Sequence, residues 1–509
     1  MTPRVVTSDQ AVARDSAAIA AGIPSIQLMR RAGHGAAHLI LGRLDTARGR
    51  RALVCCGPGN NGGDGWIVAA ALARAGVSVH VDQALEPRTA DAVTARDEAV
   101  GTVSLGVPTE AVDVVVDALL GTGAQGPLRG AIADSVARIA EARAHGAFVV
   151  ALDLPTGLDA TTGELARGCV PADLTITFGT VKRAQVLSRS ACGEIVALDI
   201  GLGAHADLPD GAPALVDAAW VARHTPAIAA EAHKGTRRRL LIVGGDRGMA
   251  GAVALAARGA LRSGIGMVRL CVHPDSLAPL QSAVPEATAT DWPLAAPDAG
   301  LVAWPNVLLI GPGLGSGDET RARVEAWLDA WTGPVVVDAD ALNAFAGNES
   351  ALGDLLDARP AIVTPHPLEF ARLIGVDVDS VLSERFEVGA RLARALHATV
   401  LLKGVPSVIT APNGESLVSA AGTPVLGTAG SGDILAGIAA TLLAQGGDPF
   451  AAAACAAWIH GRAAEIANTG RPVRGVVLDD VVRALGIAWR PIPAESADIL
   501  ARLPRVGDA

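Results

Sequence analysis

Lysine is scarce in this chain: of 42 basic residues only Lys182, Lys234 and Lys403 are lysines, so ordinary surface positives are arginines. A lysine supplies a compact ammonium that shifts its pKa on burial and serves as a point-charge phosphate ligand, tasks a planar guanidinium does poorly. Chance is the alternative, but each of the three lies in a motif described below. Positive charge is short overall. With 52 acidic residues the net charge is −10, which excludes general attraction to nucleic-acid phosphates or anionic lipid. Uninterrupted apolar runs are lacking too. The longest, from Ile434 to Ile459, is cut by Gln445, Gly446, Gly447, Asp448 and Pro449, so neither piece spans ~20 residues and no membrane helix is expected. The stretch from Met1 to Asp15 has no apolar core or small-residue cleavage site, so no signal peptide is read and cytoplasm is the expected location. Six cysteines show no C-x-x-C spacing and are read as buried small hydrophobes, without disulfide or zinc.

What is present suits a folded enzyme. Half the residues are hydrophobic and 18% charged, with 58 Gly and 30 Pro, and 509 residues are enough for several domains of about 150 each. Residues 8 to 47 carry Ile26, Leu28, Met29, Ala32 and Ala36 at helical spacing, with Ser8 or Asp9 as caps. Short apolar runs beginning at Ala52, Val77, Val112, Ala147, Leu174 and Ile195 then alternate with Ala-rich helical stretches. That rhythm implies a parallel sheet covered on both faces, an α/β domain. It breaks between Gly201 and Ala230, which sets a boundary near residue 215 and domains at 1–214 and 215–509. A second series begins at Leu240, Met267, Val307, Val335, Ala361, Val400 and Val408 and ends in helices at about 432 to 445 and 449 to 467, a second α/β domain with a larger sheet.

In the first domain the run at Ala52 leads into Gly57-Pro58-Gly59-Asn60-Asn61-Gly62-Gly63-Asp64-Gly65, with helix expected from Trp66. This contains G-x-G-x-x-G, and Asp82 follows at the distance of a dinucleotide fingerprint. Asn60, Asn61 and Asp64 argue against that use, since a carboxylate beside a pyrophosphate repels it. A loop of amides and carbonyls instead donates N–H groups to an anion and presents oxygens to a cation. Asp117 to Gly123 and Asp153 to Asp159 follow two further strands, so Asn61, Asp117 and Thr156 are candidate hard oxygen donors; singly, each reads better as a turn or cap residue, and only their common sheet edge favours the ligand reading. Together GPGNNGGDG, DALLGTGAQGPLRG, ALDLPTGLDA and ITFGTVKRAQ resemble the NAD(P)H-hydrate epimerases over residues 5 to 210. The resemblance implies a Rossmann-like three-layer sandwich and a potassium ion among Asn61, Asp117 and Thr156. It implies hydrate contacts from Asn60, Asn61, Gly62, Gly63 and Asp64, from Gly121, Thr122, Gly123, Ala124, Gln125, Gly126 and Pro127, and from Asp153. Asp153 and Lys182 are the candidates for proton handling, worth roughly 10² to 10⁴ each when well placed; a salt bridge holding two strands is the alternative.

In the second domain Thr428-Ala429-Gly430-Ser431-Gly432-Asp433 runs directly into a helix. Glycines admit a phosphate chain, and helix N–H groups point at it. Asp433 would be repelled there unless it faces a reacting hydroxyl and accepts its proton, or merely caps the helix. His233-Lys234-Gly235, Gly244-Gly245-Asp246, Gly311 to Gly315, Asp338 to Asn343, Thr364 to Glu369 and Leu402-Lys403-Gly404 are expected in the same cleft. The set resembles the ADP/ATP-dependent NAD(P)H-hydrate dehydratases, a branch of the ribokinase-like fold, over about 230 to 485. By that resemblance Ala250, Gly313, His366 and Asp433 bind the hydrate, Lys403, Gly404 and Gly432 contact the nucleotide, and magnesium accompanies ADP. His366 as a turn filler and Lys403 as a snorkelling surface lysine are the alternatives. Gly422 to Thr428 departs from the usual Gly-Asn-Pro-Gly-Met-Ala-Thr run. The combined expectation is a bifunctional repair enzyme that epimerises hydrated NADH and NADPH and dehydrates the S form with ADP, a homo-oligomer with small-molecule partners and neither nucleic acid nor membrane. A vitamin- or sugar-type kinase with an accessory domain, and a nucleotide sensor, are the rival readings.

Overall fold

The computed structural model describes residues 2–292, 296–357, 359–492 and 495–506. They form two compact units, one running to Leu215 and including the late strand Ile499–Leu503, the other beginning at Val216.

The first unit is an eight-stranded sheet in the order Ile499–Leu503, Glu194–Leu198, Leu174–Phe178, Phe148–Leu152, Val114–Ala118, Arg51–Cys56, Ser78–Gln83, Ser104–Leu105. Neighbours are parallel except for Ile499–Leu503, which runs antiparallel to Glu194–Leu198. Both faces are covered, hence the unbroken apolar strands. Trp66 and Val68 of the helix Asn60–Arg74 pack with Ile40 of Ser25–Leu41 on one face, and Ile132, Val136 and Ile139 of Gly130–Ala144 on the other. These are three layers, as expected. From Arg51–Cys56 the chain first extends the sheet to one side and then returns to the other at Val114–Ala118, so a crevice opens at the carboxyl ends of these two strands. The opening helix Ser8–Ala20 is started by a reciprocal Thr7–Gln10 capping box. Its Arg14 is fully buried and clamps Asp210 through two bonds of 2.6 and 3.0 Å.

In the second unit the sheet runs Ser416–Ser419, Ser407–Thr410, Thr399–Leu402, Ala361–Val363, Val335–Val337, Val307–Ile310, Arg239–Val243, Met267–Val272, Thr288–Asp291. The first two strands join antiparallel and the rest are parallel. Its order reverses between Arg239–Val243 and Val307–Ile310. The helices Ser431–Ala444 and Pro449–Asn468 are buried along most of their length. A Cβ at Gly437 would stand 2.0 Å from the Ala256 carbonyl oxygen of helix Ala250–Arg262, so glycine lets these two helices touch backbone to backbone.

Two features differ from expectation. The second domain was expected to run to residue 509, yet Ile499–Leu503 pairs with the first sheet: its apolar alternation is short and follows a proline-rich stretch, and no local pattern says which sheet edge it meets. Helix also begins at Asn60 instead of Trp66, so Asn60 to Asp64 form a helical turn. Its glycines permit this, since a Cβ at Gly57 would lie 1.8 Å from the Leu119 oxygen and one at Gly62 1.9 Å from that of Gly57.

Candidate functional site

At the crevice of the first unit, the Asp117 carboxylate is buried and accepts hydrogen bonds from Thr156 Oγ1 (2.7 Å), Thr156 N (2.7 Å) and Leu119 N (3.2 Å). Thr156 Oγ1 in turn accepts from Leu120 N at 3.1 Å, which fixes both loops to one another. Asn61 comes to the same place: a Cβ added to Gly121 would lie 3.4 Å from the Asn61 Cβ and 3.2 Å from Asp153 Oδ2. The Asn61 side chain is 8% exposed, and neither its Oδ1 nor its Nδ2 has a hydrogen-bond partner among the described residues. An amide buried and unsatisfied costs free energy, so a ligand at this spot relieves it.

Asp153 adopts φ 64°, a conformation that non-glycine residues hold only when their surroundings dictate it. Its carbonyl accepts from Gln185 Nε2 (2.7 Å), its N–H donates to the Ile176 oxygen (2.7 Å), and its Oδ2 accepts from Thr122 N (3.1 Å). Its other carboxylate oxygen is ion-paired with Lys182, whose ammonium also donates to Thr177 Oγ1 at 2.9 Å. Asp64 joins this cluster. Burial, then the charges of Asp153 and Asp15, push its carboxyl well above the usual carboxylate range, with Lys182 opposing. Asp117 is also raised by burial, against the hydrogen bonds from Thr156 and Leu119. Asp82 is committed elsewhere, accepting from Ser135 Oγ (2.6 Å) and Arg138 Nη1 (2.8 Å), which removes the fingerprint's ribose ligand.

In the second unit Lys403, just past the strand Thr399–Leu402, donates to Asp338 Oδ1 at 2.9 Å and stands 3.7 Å from Glu369 Oε2. Burial works to lower its pKa, but Asp338, Glu369 and Asp433 outweigh it and raise the ammonium above its ordinary value. The turn that starts Ser431–Ala444 crosses over it: Gly430 has φ 93°, and a Cβ at Gly432 would sit 3.2 Å from Lys403 Nζ. Asp433 follows in the first helical turn. Burial first, then Asp338, push its carboxyl up to about 7, with Lys403 opposing. His366 caps the helix Pro367–Ile374, its Nδ1 accepting from Leu368 N (3.1 Å) and Glu369 N (3.2 Å), while Glu369 Oε2 accepts from His366 N (2.8 Å). An accepting Nδ1 leaves the neutral imidazole proton on Nε2. Burial and Lys403 lower its pKa. Gly313, at φ 58°, hands its carbonyl to Asp246 N (2.7 Å), and Ala250 opens the helix Ala250–Arg262 behind Met249; a Cβ at Gly313 would lie 2.9 Å from Met249 Cβ.

Two of the three lysines thus sit inside carboxylate clusters, whereas Lys234 is exposed on a turn where His233 N donates to Thr236 Oγ1 at 2.9 Å. Several neighbours lie in stretches expected at the sites or in helices near them but were given no role from sequence. Asp338 and Glu369 pair with Lys403; Glu369 was findable as the third residue after the cap His366, the capping-box spacing. Thr177 and Gln185, which hold Lys182 and Asp153, lie within ITFGTVKRAQ but had no role assigned there. Asp15, raised by burial and, to a lesser degree, by Asp153, reaches the first cluster from a helix read only as packing. His460 is buried, its Nε2 lacks a partner among the described residues, and burial and Lys403 lower its pKa to about 4.

Residues 240–485 match the family described as NAD(P)H-hydrate dehydratase, and residues 25–184 that described as YjeF-related protein N-terminus. The chain is 36% identical over 514 residues to the bifunctional NAD(P)H-hydrate repair enzyme Nnr of Moorella thermoacetica, covering 94% of this chain and 95% of that one. To the Escherichia coli K12 enzyme of the same name it is 33% identical over 479 residues, covering 91% and 89%. Among solved structures, the ADP/ATP-dependent NAD(P)H-hydrate dehydratase of Bacillus subtilis co-crystallized with ATP/Mg2+ is 29% identical, with a TM-score of 0.47, covering 53% of this chain and 95% of that one.

Proposed function

The chain belongs to the bifunctional NAD(P)H-hydrate repair enzymes, and from that premise we propose how its two sites divide the work. The protein is an enzyme of nicotinamide nucleotide repair, joining an epimerase part to a nucleotide-dependent dehydratase part. The first site interconverts R and S hydrates. Lys182 donates a proton to the departing hemiaminal hydroxyl and Asp153 takes one back as water returns on the other face, with Asn60 to Asp64 and Gly121 to Pro127 around the substrate. Potassium belongs to this reading, held by Asn61, Asp117 and Thr156: hard oxygens suit it, and the unpartnered Asn61 amide fits such a ligand. Bound there, the ion supplies fixed positive charge beside an anionic substrate.

The second site dehydrates the S hydrate at the expense of ADP. Asp433 accepts the C6 hydroxyl proton as that oxygen attacks the terminal phosphorus and AMP departs; loss of phosphate from C6 and a proton from C5 restores the dihydronicotinamide. Ala250, Gly313 and His366 hold the hydrate. Lys403, Gly404 and Gly432 hold the nucleotide, whose phosphates bring magnesium. The observation that carries this reading is the Asp433 carboxyl, raised to about 7 beside Lys403 at a glycine-rich helix start: a base tuned to neutral pH facing an anion site. A cytoplasmic homo-oligomer completes the proposal; the described residues contain no helix long and apolar enough to cross a membrane. Incubating mixed hydrates with ADP and magnesium tests it: AMP and phosphate should each appear in a one-to-one ratio with restored cofactor. Cofactor restored without AMP would refute the ADP assignment.

A further inference from the structure

Among the described residues Arg385 is the only buried arginine of the second unit, 8% exposed. The buried Arg14 of the first unit answers to Asp210, whereas Arg385 pairs with no carboxylate among the described residues, and burial lowers its pKa with no charge to offset it. Its bonds go to backbone instead. Nη1 donates to the Val405 oxygen at 2.5 Å and reaches the Pro406 oxygen at 3.5 Å, and a Cβ on Gly404 would stand 3.3 Å from Nη2. Its Nε is buried without a partner among the described residues.

Gly404, Val405 and Pro406 form the tip between the antiparallel strands Thr399–Leu402 and Ser407–Thr410, directly after Lys403. The tip stands out from the sheet: Val405 is 60% exposed, and Gly404, at φ 152°, is exposed as well. At its base Lys403 N donates to the Pro365 oxygen (2.9 Å), and within it Ser407 Oγ donates to the Gly404 oxygen (3.1 Å). Arg385 reaches it from the turn between the helices Val378–Ser383 and Gly389–Leu396. The second of these is pressed onto the strand that follows the tip, where a Cβ at Gly389 would lie 2.5 Å from Thr410 Oγ1.

A charge buried without a counter-ion is costly, and an apolar side chain of similar size would serve stability better. A protruding tip left free loses conformational freedom when a ligand settles on it, which weakens binding, so a residue that holds the tip beforehand strengthens it. We infer that Arg385 is a positioning residue for nucleotide binding: its guanidinium fixes the tip Gly404–Pro406 in the shape that receives the nucleotide, and its unneutralised charge favours an anionic occupant over a neutral one. It acts through the backbone of the tip. This rests on the nucleotide reading of Lys403 and Gly404 and deepens it.

The test follows dehydration by Arg385→Met, Arg385→Lys and the unaltered chain, varying ADP and the S hydrate separately. KM for ADP should rise about ten- to a hundredfold in Arg385→Met and about two- to fivefold in Arg385→Lys, which keeps the charge and one carbonyl bond, while kcat and KM for the hydrate stay within about twofold. A role in folding alone would lower the melting temperature without this selectivity. Unchanged KM for ADP in Arg385→Met, an equal rise for the hydrate, or an Arg385→Lys chain as poor as Arg385→Met overturns the inference. Should Arg385→Met fail to fold, Arg385→Lys decides: a selective rise in KM for ADP supports the inference and an unchanged one overturns it. An unaltered chain whose dehydration no nucleotide saturates overturns the nucleotide reading, and this inference with it.

Discussion

Dehydration should titrate with Asp433. Its carboxyl lies at about 7 because burial, and secondarily Asp338, disfavour the charged form, with Lys403 acting against them. If the ionised form is the base, about a tenth of it is present at pH 6 and about nine-tenths at pH 8, so kcat/KM rises about tenfold between those values and levels off above. Asp433→Asn should lower the rate by about 10² to 10⁴ and flatten the profile, whereas Lys403→Met, which removes the opposing charge, should move the midpoint to higher pH. The stability consequence has a definite sign. A folded-state pKa raised from 3.8 gives a contribution fully present below pH 3.8 and lost as pH rises through about 7, where the buried anion costs about 4 kcal/mol. Asp433→Asn should therefore gain stability relative to the parent at pH 8 compared with pH 5. The assay is restored cofactor against pH, with epimerisation followed in the same samples. A flat parental profile between pH 5 and 8, or an Asn variant that keeps the parental slope, would refute the assignment.

Asp153→Asn and Lys182→Met should each slow epimerisation by about 10² to 10⁴, read by separating the two hydrates, and leave nucleotide-dependent dehydration intact; loss of both steps together would mean a structural role. Epimerisation should require potassium and lose that dependence in Asn61→Ala, so equal rates in sodium-only and potassium buffers count against the ion. Arg14→Met removes the partner of Asp210, whose carboxylate keeps contact with solvent, and leaves the Gln10 and Ala206 carbonyls without their donor; it should cost about 1 to 3 kcal/mol in denaturant unfolding of the first unit, an unchanged stability contradicting it. His366→Ala should weaken hydrate binding in the dehydratase step and remove the cap of Pro367–Ile374, visible as a raised KM for the S hydrate and a stability loss of about 1 kcal/mol.

Much of the fold was legible because buried parallel strands write themselves as unbroken apolar runs. Leu174–Phe178, Met267–Val272 and Val307–Ile310 begin where the sequence puts them, Ser431–Ala444 is shifted from its expected bounds by one residue at each end, and Pro449–Asn468 runs one residue further. Thr288–Asp291 and Ser104–Leu105 escaped notice because edge strands bury little and carry polar residues. Both clusters were anticipated where a motif fixes the backbone: Asp153 at its strained turn, Asp433 at its glycine-rich helix start. What stayed hidden is what tertiary contact alone supplies. Glu369 and Asp338 were expected in one cleft with Lys403, but not their pairing with its ammonium across 34 and 65 residues of chain, nor the bond from the Lys182 ammonium to Thr177.

One chain joins an epimerase part and a dehydratase part that act on the same damaged coenzyme. An epimer-resolved time course with ADP, run on the unaltered chain, Asp153→Asn and Asp433→Asn, tests it most directly. Both hydrates should vanish with the unaltered chain, only the S hydrate should be consumed promptly by Asp153→Asn, and Asp433→Asn should equilibrate the two without restoring cofactor. An unaltered chain that leaves R hydrate behind, or an Asp433→Asn chain that still restores cofactor, would contradict it.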